Sequence, residues 1–573
     1  MRMILKQYSK SQTAVIMLLL IFMAAQILAG MLHNSVTWDE LFFIGEGKAI
    51  FSTGYMRYII LADHPPLSYY LNSIFLIPLK FDNKLWDPQE SFKIGNDVLF
   101  HSQYNYKLIL FLSRLPFVVL SIIGALYLLK WATEIYGSKS GLAALFFYSF
   151  NPSIIAYAGV ATSDFTTAIM IFIAAYYFWK LLKEQSAKHL ALSGIFFGLA
   201  QLSKITSIIL IPSFIIIGLT AVYSKKYKLS LKNFIKNLLI IFLIAFIVMW
   251  AFHKFQFGTL NNSMPAGYYN ERAKELLSKS QILSKQLLFV YEKVPMPMPI
   301  YFGMAGNTLH LSAQEKDNYV FGEITNRTAW YMGLLTFFLK THLSLMLALA
   351  LVFVFSKKLP KADMLTNISL TIPIILIFVL FSINNKLSGI RHMLAIYPFI
   401  FILAGNVVNI KLKKKSLLLF IVFLPYLISA FLTAPYYMSY MNILAGGPSN
   451  AYKIMVGANI DQGQDLLELK EFVQENKIVK IKLSYWGSVN PKDYGIDYEY
   501  IPSPQFQPWQ NGYAVVLKSK NINEDCSERK GWIAISVTNL QNVHLENKKC
   551  YDWLKKYEPI KRIGYSIFIY NLK

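Results

Sequence analysis

The sequence predicts a polytopic α-helical membrane protein with a small α/β domain after its last span. The chain of 573 residues is 55% hydrophobic and 15% charged, with a mean hydropathy of +0.40, whereas a soluble domain carries about a quarter charged residues. Apolar segments long enough to cross a bilayer recur throughout residues 1–437. Residues 438–573 are polar and are predicted to form a separate soluble domain.

The distribution of the net charge of +24 argues against nucleic acid as a partner. Residues 1–437 hold 39 basic and 18 acidic side chains, whereas residues 438–573 hold 17 and 14. The basic excess therefore belongs to the hydrophobic part of the chain, where it is typical of membrane loops.

The membrane part is predicted to contain about eleven spans. A spanning helix needs roughly 20 mostly apolar residues. The first segment follows Arg2, Lys6 and Lys10 like a signal peptide, but its apolar run is longer than the roughly 7–15 residues of such a peptide, so we interpret it as an anchor. The predicted spans lie near 12–33, 108–130, 141–158, 165–182, 189–203, 205–223, 234–253, 329–355, 365–382, 391–410 and 416–437.

The Lys and Arg residues of the short loops predict the orientation. With the N-terminus in the cytoplasm, the inner loops hold 20 Lys and Arg and the short outer loops hold Lys204, Lys386 and Arg391. Basic loops stay inside. We therefore expect a plasma-membrane protein with a cytoplasmic N-terminus and an extracytoplasmic C-terminal domain.

Three long segments then face outward, at 34–107, 254–328 and 438–573. The first two contain amphipathic stretches such as Leu67–Leu79, which we expect to form helices at the membrane interface. The third combines helical spacing with strand patterns and is predicted to be a small α/β domain. Its predicted elements are a helix at Gln464–Gln474 and strands at Val479–Tyr485, Tyr513–Leu517, Trp532–Val537 and Ser566–Tyr570.

Both cysteines, Cys526 and Cys550, fall in this C-terminal domain. A pair confined to one segment indicates a disulfide if the segment faces an oxidising compartment. The alternative is two unrelated buried thiols.

The short inner loops exclude a nucleotide-binding domain, and the sequence has no G-x-x-x-x-G-K-[ST] motif. If the protein is an enzyme, we expect its chemistry on the outer face, with an activated group that arrives attached to a membrane lipid.

The predicted topology brings a set of polar side chains to the outer membrane edge. Ionisable groups at such a depth are costly and are functional candidates. Each also has a structural alternative. Asp39 and Glu40 could end a helix, and Asp164 could cap the fourth span. Lys204 and Arg391 could reach lipid headgroups, and His64 could be a loop histidine. The set comprises Trp38, Asp39, Glu40, Asp63, His64, Ser163, Asp164, Ser203, Lys204, Arg391 and His392, with Arg114 about two turns inside the second span.

These residues resemble a known superfamily. Three motifs are similar to those of the dolichyl-phosphate-mannose protein mannosyltransferases and of the lipid A aminoarabinose transferase, both GT-C glycosyltransferases. They are Asp39-Glu40 after the first span, His64-Pro65-Pro66-Leu67 in the same loop and Asp164 before the fourth span. The pattern continues in Arg114-Leu115-Pro116, Lys204, Lys340-Thr341 and Gly389 to Pro398. Ala445 to Asp465 and Gly564 to Ile567 resemble prokaryotic members with an extra C-terminal domain, except at Gln462, where Trp is expected.

The resemblance implies transfer of a sugar from a polyprenyl-phosphate donor to an acceptor hydroxyl on the outer face, with inversion at the anomeric carbon. Asp39 would be the general base, Glu40 would orient it or the acceptor, and Asp164 would hold sugar hydroxyls or support Asp39. Further roles are assigned as follows: Lys204, Arg391 and Arg114 bind the phosphate, and Trp38, His64 and His392 are additional substrate contacts.

Several alternatives stay open at this point. Glu40 and His64 are candidate ligands for a divalent metal, although no complete ligand set is visible. The acceptor could be protein Ser/Thr, lipid A or another glycolipid, or a growing surface glycan. Competing functions are a secondary transporter, which usually binds its substrate near the bilayer midplane, and a membrane sensor with an external ligand-binding domain.

Overall fold

A computed structural model describes residues 5, 7–54, 64–81, 86, 91–224, 226–263, 284–313, 317–326, 329–384, 389–503 and 525–573. It confirms the predicted fold class of a helical polytopic membrane protein with a small C-terminal sheet. The predicted strand at Tyr513–Leu517 and the predicted site neighbour Asp63 lie outside the described residues.

Seven helices among the described residues are long and apolar enough to cross a membrane, and two bent pairs raise the number to nine. The seven are α1 (Lys10–His33), α5 (Tyr106–Tyr136), α8 (Ser163–Glu184), a 3₁₀ turn at Ile205–Ile209 continued by α10 (Leu210–Tyr223), α11 (Leu231–Phe252), α17 (Met364–Ile383) and α19 (Lys415–Thr433).

The other four predicted spans are helical but short or broken. Two of them are the bent pairs, which turn by 62° and 107°. The first bend falls at Asn151, because a residue before proline, here Pro152, avoids the helical conformation. Asn151 then caps the helix that follows: its Oδ1 accepts a hydrogen bond from the backbone N–H of Ile154 at 3.0 Å. The four segments are α6 (Ser138–Ser149) with α7 (Pro152–Ala158), α9 (Ala187–Ser203), α15 (Met332–Lys340) with α16 (Leu343–Val354), and α18 (Ile396–Gly405).

The bundle surrounds α8, most of which is buried, whereas α11 and α19 expose apolar side chains outward. Leu239 and Leu243 of α11, for example, are 64% and 59% exposed. Such apolar exposure is expected of a surface that faces lipid rather than water.

Short helices before the second span pack closely against one another. Gly45 lies against Gly95, and a Cβ atom at Gly45 would be 2.4 Å from the backbone nitrogen of Gly95. The pair lets the backbones of these two helices approach closely. These helices are α2 (Glu40–Thr53), α3 (Leu67–Ser73) and α4 (Ser91–Phe100).

The segment predicted as the second long outer loop contains short elements in its described parts. They are β1 (Phe257–Gly258), α12 (Leu260–Ser263), α13 (Ser284–Lys293), β2 (Met296–Pro297), α14 (Pro299–Ala313), β3 (Asn318–Val320) and β4 (Glu323–Thr325), with β1–β2 and β3–β4 antiparallel.

The C-terminal sheet has the strand order β6-β5-β7-β9-β8. Strand β5 is parallel to β6 and β7, and β9 is antiparallel to β7 and β8. The helix and three of the four strands predicted here fall on α21, β5, β7 and β9; β6 and β8, which have only three residues each, were not predicted. The elements are α20 (Pro448–Ala451), α21 (Leu466–Glu475), β5 (Ile481–Ser484), β6 (Tyr498–Tyr500), β7 (Gly531–Ser536), α22 (Val537–Leu540), β8 (Lys561–Ile563) and β9 (Ile567–Leu572).

Lys340 connects the membrane helices to the chain that leads into the sheet. Its Nζ donates to the carbonyl oxygens of Met438 and Tyr440 at 2.8 and 2.9 Å and to that of Asn459 at 2.5 Å. The side chain is 2% exposed. Because residues 438–459 are held so closely by the membrane helices, the division at residue 437 stays a prediction.

Lys340→Met should destabilise the protein, because it leaves three buried carbonyl oxygens without a donor. We expect a loss on the order of 3 kcal/mol, since each unsatisfied group costs roughly 1–3 kcal/mol and the costs are not additive. Thermal unfolding in detergent measures it. Lys358→Met, at an exposed position, is the control, and equal unfolding temperatures for the two variants would contradict the assignment.

Candidate active site

Asp39 lies at the start of α2 with its carboxylate directed away from the helix. It is the residue before the helix, yet it makes no capping hydrogen bond. Its Oδ2 instead accepts from Nη1 of Arg391 in an ion pair. The structure thus joins the predicted base to one of the predicted phosphate-binding cations, although about 350 residues separate them in the chain.

Asp164 forms a second ion pair beside the first. Its Oδ1 accepts from Nζ of Lys204 at 2.5 Å, and its Oδ2 lies 3.8 Å from Nη1 of Arg391. Lys204 Nζ also donates to Nδ1 of His392 at 3.0 Å. Since α8 begins one residue earlier, at Ser163, Asp164 lies within the helix rather than at its cap, and its carboxylate pairs with cations.

Backbone geometry sets the two cations in place. Lys204 follows the last residue of α9 in an extended conformation and ends that helix. Arg391 lies in a 3₁₀ turn that starts after Gly389, whose φ is +80° and whose missing Cβ would contact Ala458 at 3.0 Å. The backbone N–H of Ile390 donates to Oδ1 of Asn459 at 3.1 Å.

A cavity opens from these side chains between the helices. Its polar end is formed by Asp164, Lys204, Arg391 and His392, and Nε of Arg391 is buried without a hydrogen-bond partner. The rest of the lining is mostly apolar. It includes Ala168, Ile171, Ile209, Ile377, Leu380 and Ala395. The open space in this cavity is about 20 Å³, room for about one water molecule. The lining therefore places an ionic cluster beside apolar side chains, and a larger ligand requires these side chains to move apart.

Glu40 and Arg114 form a fully buried ion pair next to this cluster. Both side chains are completely inaccessible to solvent. Arg114 uses all five of its N–H donors: Nε and Nη2 donate to the Glu40 carboxylate at 2.8 and 2.7 Å, and the remaining three donate to the carbonyl oxygens of Met31, Asn34 and Ser35. Glu40 also accepts from Thr37 N, Thr37 Oγ1 and Ala161 N.

This saturation is at odds with two predicted roles. Arg114 has no donor left for a phosphate, and both oxygens of Glu40 are occupied by at least two donors, so neither is available to a metal. The pair holds the turn from Met31 to Thr37 against the start of α8, which positions Asp39. Glu40 and Arg114 therefore fit positioning residues.

Two other candidates are placed by ring stacking. His64 stacks on Phe43, with ring centroids 5.3 Å apart. Trp38 stacks on Trp486 of the C-terminal region at 5.3 Å, and Trp486 stacks in turn on His544 at 4.5 Å. Cys526 and Cys550 are joined in the structure by a disulfide.

Residues 462–464 hold the segment that leads to Asp39. The backbone N–H of Ser35 donates to the carbonyl oxygen of Gln464, and that of Trp38 donates to the carbonyl oxygen of Gln462, both at 2.9 Å. The Gln462 side chain donates to the hydroxyl of Tyr157 at 2.8 Å. Sequence reasoning missed Tyr157 and Thr37, because a tyrosine in an apolar span and a threonine in a loop carry no distinctive pattern.

Two acidic residues next to residues 462–464 are buried in the C-terminal region. Burial raises the pKa of Asp461 to about 7, against hydrogen bonds from Thr538 and Gly463. Burial also raises the pKa of Asp465 well above its usual range, and the nearby Glu468 and Asp461 raise it further. Neither was predicted as a site residue.

Comparison with known proteins supports the resemblance. Residues 110–252, about a quarter of the chain, match the family model described as dolichyl-phosphate-mannose-protein mannosyltransferase. The chain is similar to these membrane glycosyltransferases over that segment. The resemblance predicted from sequence motifs is confirmed there. No curated protein matches the chain at a significant level.

Solved structures of similar shape include two of ArnT from Cupriavidus metallidurans. The form bound to undecaprenyl phosphate is 10% identical with a TM-score of 0.45, and the apo form is 10% identical with a TM-score of 0.47; each match covers 98% of both chains. The apo oligosaccharyltransferase from Archaeoglobus fulgidus is 12% identical over 86% of this chain and 64% of its own, with a TM-score of 0.43.

Arg114→Ala should lower the free energy of unfolding by about 3–5 kcal/mol, because it leaves the Glu40 carboxylate buried without its cation. Thermal unfolding of the purified protein in detergent measures the loss. Arg529→Ala, which breaks a surface pair with Asp525, is the matched control and should cost less than about 1 kcal/mol. Similar losses in the two variants would show that the buried pair does not stabilise the fold.

Proposed function

We propose that the protein is a membrane glycosyltransferase that moves a sugar from a polyprenyl-phosphate donor to an acceptor hydroxyl. The observation that carries the proposal is the convergence of Asp39, Asp164, Lys204 and Arg391 from four separate elements into one set of ion pairs. The last three of these residues also line a small cavity that is otherwise mostly apolar. The family match supports a lipid-linked sugar as the donor. The donor sugar and the acceptor are not specified by these residues.

In this proposal, Lys204 and Arg391 bind the phosphate of the donor. Both cations line the polar end of the cavity, and the unpaired Nε of Arg391 offers a hydrogen-bond donor. The polyprenyl chain would lie along the apolar side chains of the lining, which must move apart to admit it. Asp164 holds the two cations in place, because one of its oxygens contacts Lys204 and the other faces Arg391.

The Asp39–Arg391 pair suggests how the base becomes available. A donor phosphate on Arg391 competes with the Asp39 carboxylate for the same guanidinium. Once released, Asp39 accepts the proton of the acceptor hydroxyl as its oxygen attacks the anomeric carbon. The bond from that carbon to the phosphate oxygen breaks, and the leaving polyprenyl phosphate keeps the electron pair beside the two cations. This single displacement inverts the anomeric centre.

We also propose a plasma-membrane location with the site and the C-terminal sheet outside the cell. One side of the bundle brings together the ends of α1 and α9, the starts of α2 and α8, and residues 462–464. The short loops of the opposite side carry 20 Lys and Arg residues, against three in the short loops of this side, which favours a cytoplasmic position for them.

Asp39→Asn should reduce transfer by at least about 10²-fold, which is the lower end of a general base contribution, while donor binding is kept. Purified protein is assayed in detergent with radiolabelled polyprenyl-phosphate sugars, and donor binding is measured separately. Asp552→Asn, at an exposed carboxylate, is the control. Full transfer activity in Asp39→Asn would reject Asp39 as the base.

Lys204→Gln should weaken donor binding at least about tenfold, because it removes a charge-assisted contact worth roughly 1.5–3 kcal/mol. Lys204→Arg keeps the charge beside Asp164 and should bind better than Lys204→Gln, which separates loss of charge from loss of fold. Lys548→Gln, which alters a surface pair with Asp317, serves as control. Equal donor dissociation constants for wild type and Lys204→Gln would contradict the phosphate role.

A further inference from the structure

An imidazole and two carboxylates meet at a second place, where the first span ends against the C-terminal region. One ligand atom each from His33, Asp465 and Glu468 lies within 4.8 Å of the others. Nε2 of His33 is 3.7 Å from Oε2 of Glu468. His33 is the last residue of α1, and the two acidic residues, three positions apart, face the same side of the start of α21.

Helix capping does not account for this arrangement. Asp at the cap position and Glu three residues later is a sequence typical of a helix start. However, Asp465 makes no capping hydrogen bond with its side chain. Nε2 of His33 and Oε2 of Glu468 are both buried and have no hydrogen-bond partner.

Neighbouring residues hold each of the three side chains in this orientation. Ser566 Oγ and Gln464 Nε2 donate to Oδ2 of Asp465 at 2.5 and 3.1 Å. The hydroxyl of Tyr436 hydrogen-bonds the Glu468 carboxylate, and its ring packs edge-on against His33 at 4.9 Å. Partners of this kind orient the ligands of metal sites.

Gly564 makes room for the Asp465 carboxylate. Its φ is +54°, and a Cβ atom at this position would lie 2.1 Å from Cγ of Asp465. Any other residue would therefore displace the carboxylate. Gly564 and Asp465 belong to the two C-terminal motifs that the sequence analysis singled out, and the structure brings them into contact here.

We propose that His33, Asp465 and Glu468 bind a divalent transition-metal ion, with Zn²⁺ as the best match to one nitrogen and two oxygen ligands. Zn²⁺ accepts His nitrogen and carboxylate oxygen at about 2.0–2.2 Å, which requires the three atoms to approach one another by roughly 1 Å. Ca²⁺ and Mg²⁺ prefer sites made of oxygen alone. The three ligands leave the fourth tetrahedral position to water.

The ion would fasten the end of α1 to the start of α21. Between these points, Ser35 and Trp38 already pair with residues 462–464, immediately before Asp39. A metal at this place therefore fixes the segment that carries the proposed base, without touching the substrate. Its role is structural, and its binding can be measured whether or not the proposed transfer reaction is correct.

The test is Zn²⁺ binding to the full-length protein in detergent after removal of metals with a chelator. We expect one Zn²⁺ per chain by calorimetry and elemental analysis, with a rise in unfolding temperature on addition of Zn²⁺. His33→Gln and Glu468→Gln should each weaken binding at least about tenfold and abolish the rise. Co²⁺ in place of Zn²⁺ should give a visible absorption spectrum of a four-coordinate site in the wild-type protein, which requires no variant.

Two variants serve as controls. Glu475→Gln changes an exposed residue at the opposite end of the same helix, and His189→Gln changes a histidine whose ring, among the described residues, pairs with the Glu184 carboxylate at 3.2 Å. Both should bind Zn²⁺ like the wild type. Absence of stoichiometric Zn²⁺, unchanged affinity in His33→Gln, or tighter binding of Mg²⁺ than of Zn²⁺ would overturn the proposal and leave a His33–Glu468 ion pair as the explanation.

Discussion

The Glu40–Arg114 pair is the interaction on which the rest of the site depends. A fully buried charge is tolerated only when its partners satisfy it, and here every donor of the guanidinium and both oxygens of the carboxylate are used. The bonds join the end of the first span, the following turn and the start of α8. Asp39 and Asp164 stand at the edges of this rigid unit, so their separation is fixed before any ligand binds.

The site itself combines two further ion pairs that are less deeply buried. Arg391 and Asp39 are 17% and 15% exposed, and Lys204 and Asp164 are 10% and 4% exposed, whereas both side chains of the buried pair are inaccessible. The proposed exchange of a donor phosphate for the Asp39 carboxylate at Arg391 would therefore not require the site to unfold. The contrast separates the buried pair, whose donors and acceptors are all occupied, from the Asp39–Arg391 pair, which the proposed reaction requires to exchange partners.

The sequence was informative about elements and less so about roles. Apolar length and loop charge predicted helices at all eleven positions, and topology alone gathered Asp39, Asp164, Lys204, Arg391 and His392. The breaks before Pro152 and at Thr341–His342 shortened two spans, since a bend is a local backbone event within an apolar run. Arg114 was predicted to bind phosphate, because charge in a span signals function but only three-dimensional contacts show whether its donors are already occupied.

The pairing of Ser35 and Trp38 with residues 462–464 has a consequence for biosynthesis. The segment before Asp39 emerges from the ribosome early, whereas residues 462–464, which hold it, are synthesised more than 400 residues later. Loop closure over such a distance is slow compared with local helix formation. A nascent or truncated chain can thus insert its helices while the segment before Asp39 still lacks the backbone partners that hold it in the full-length protein.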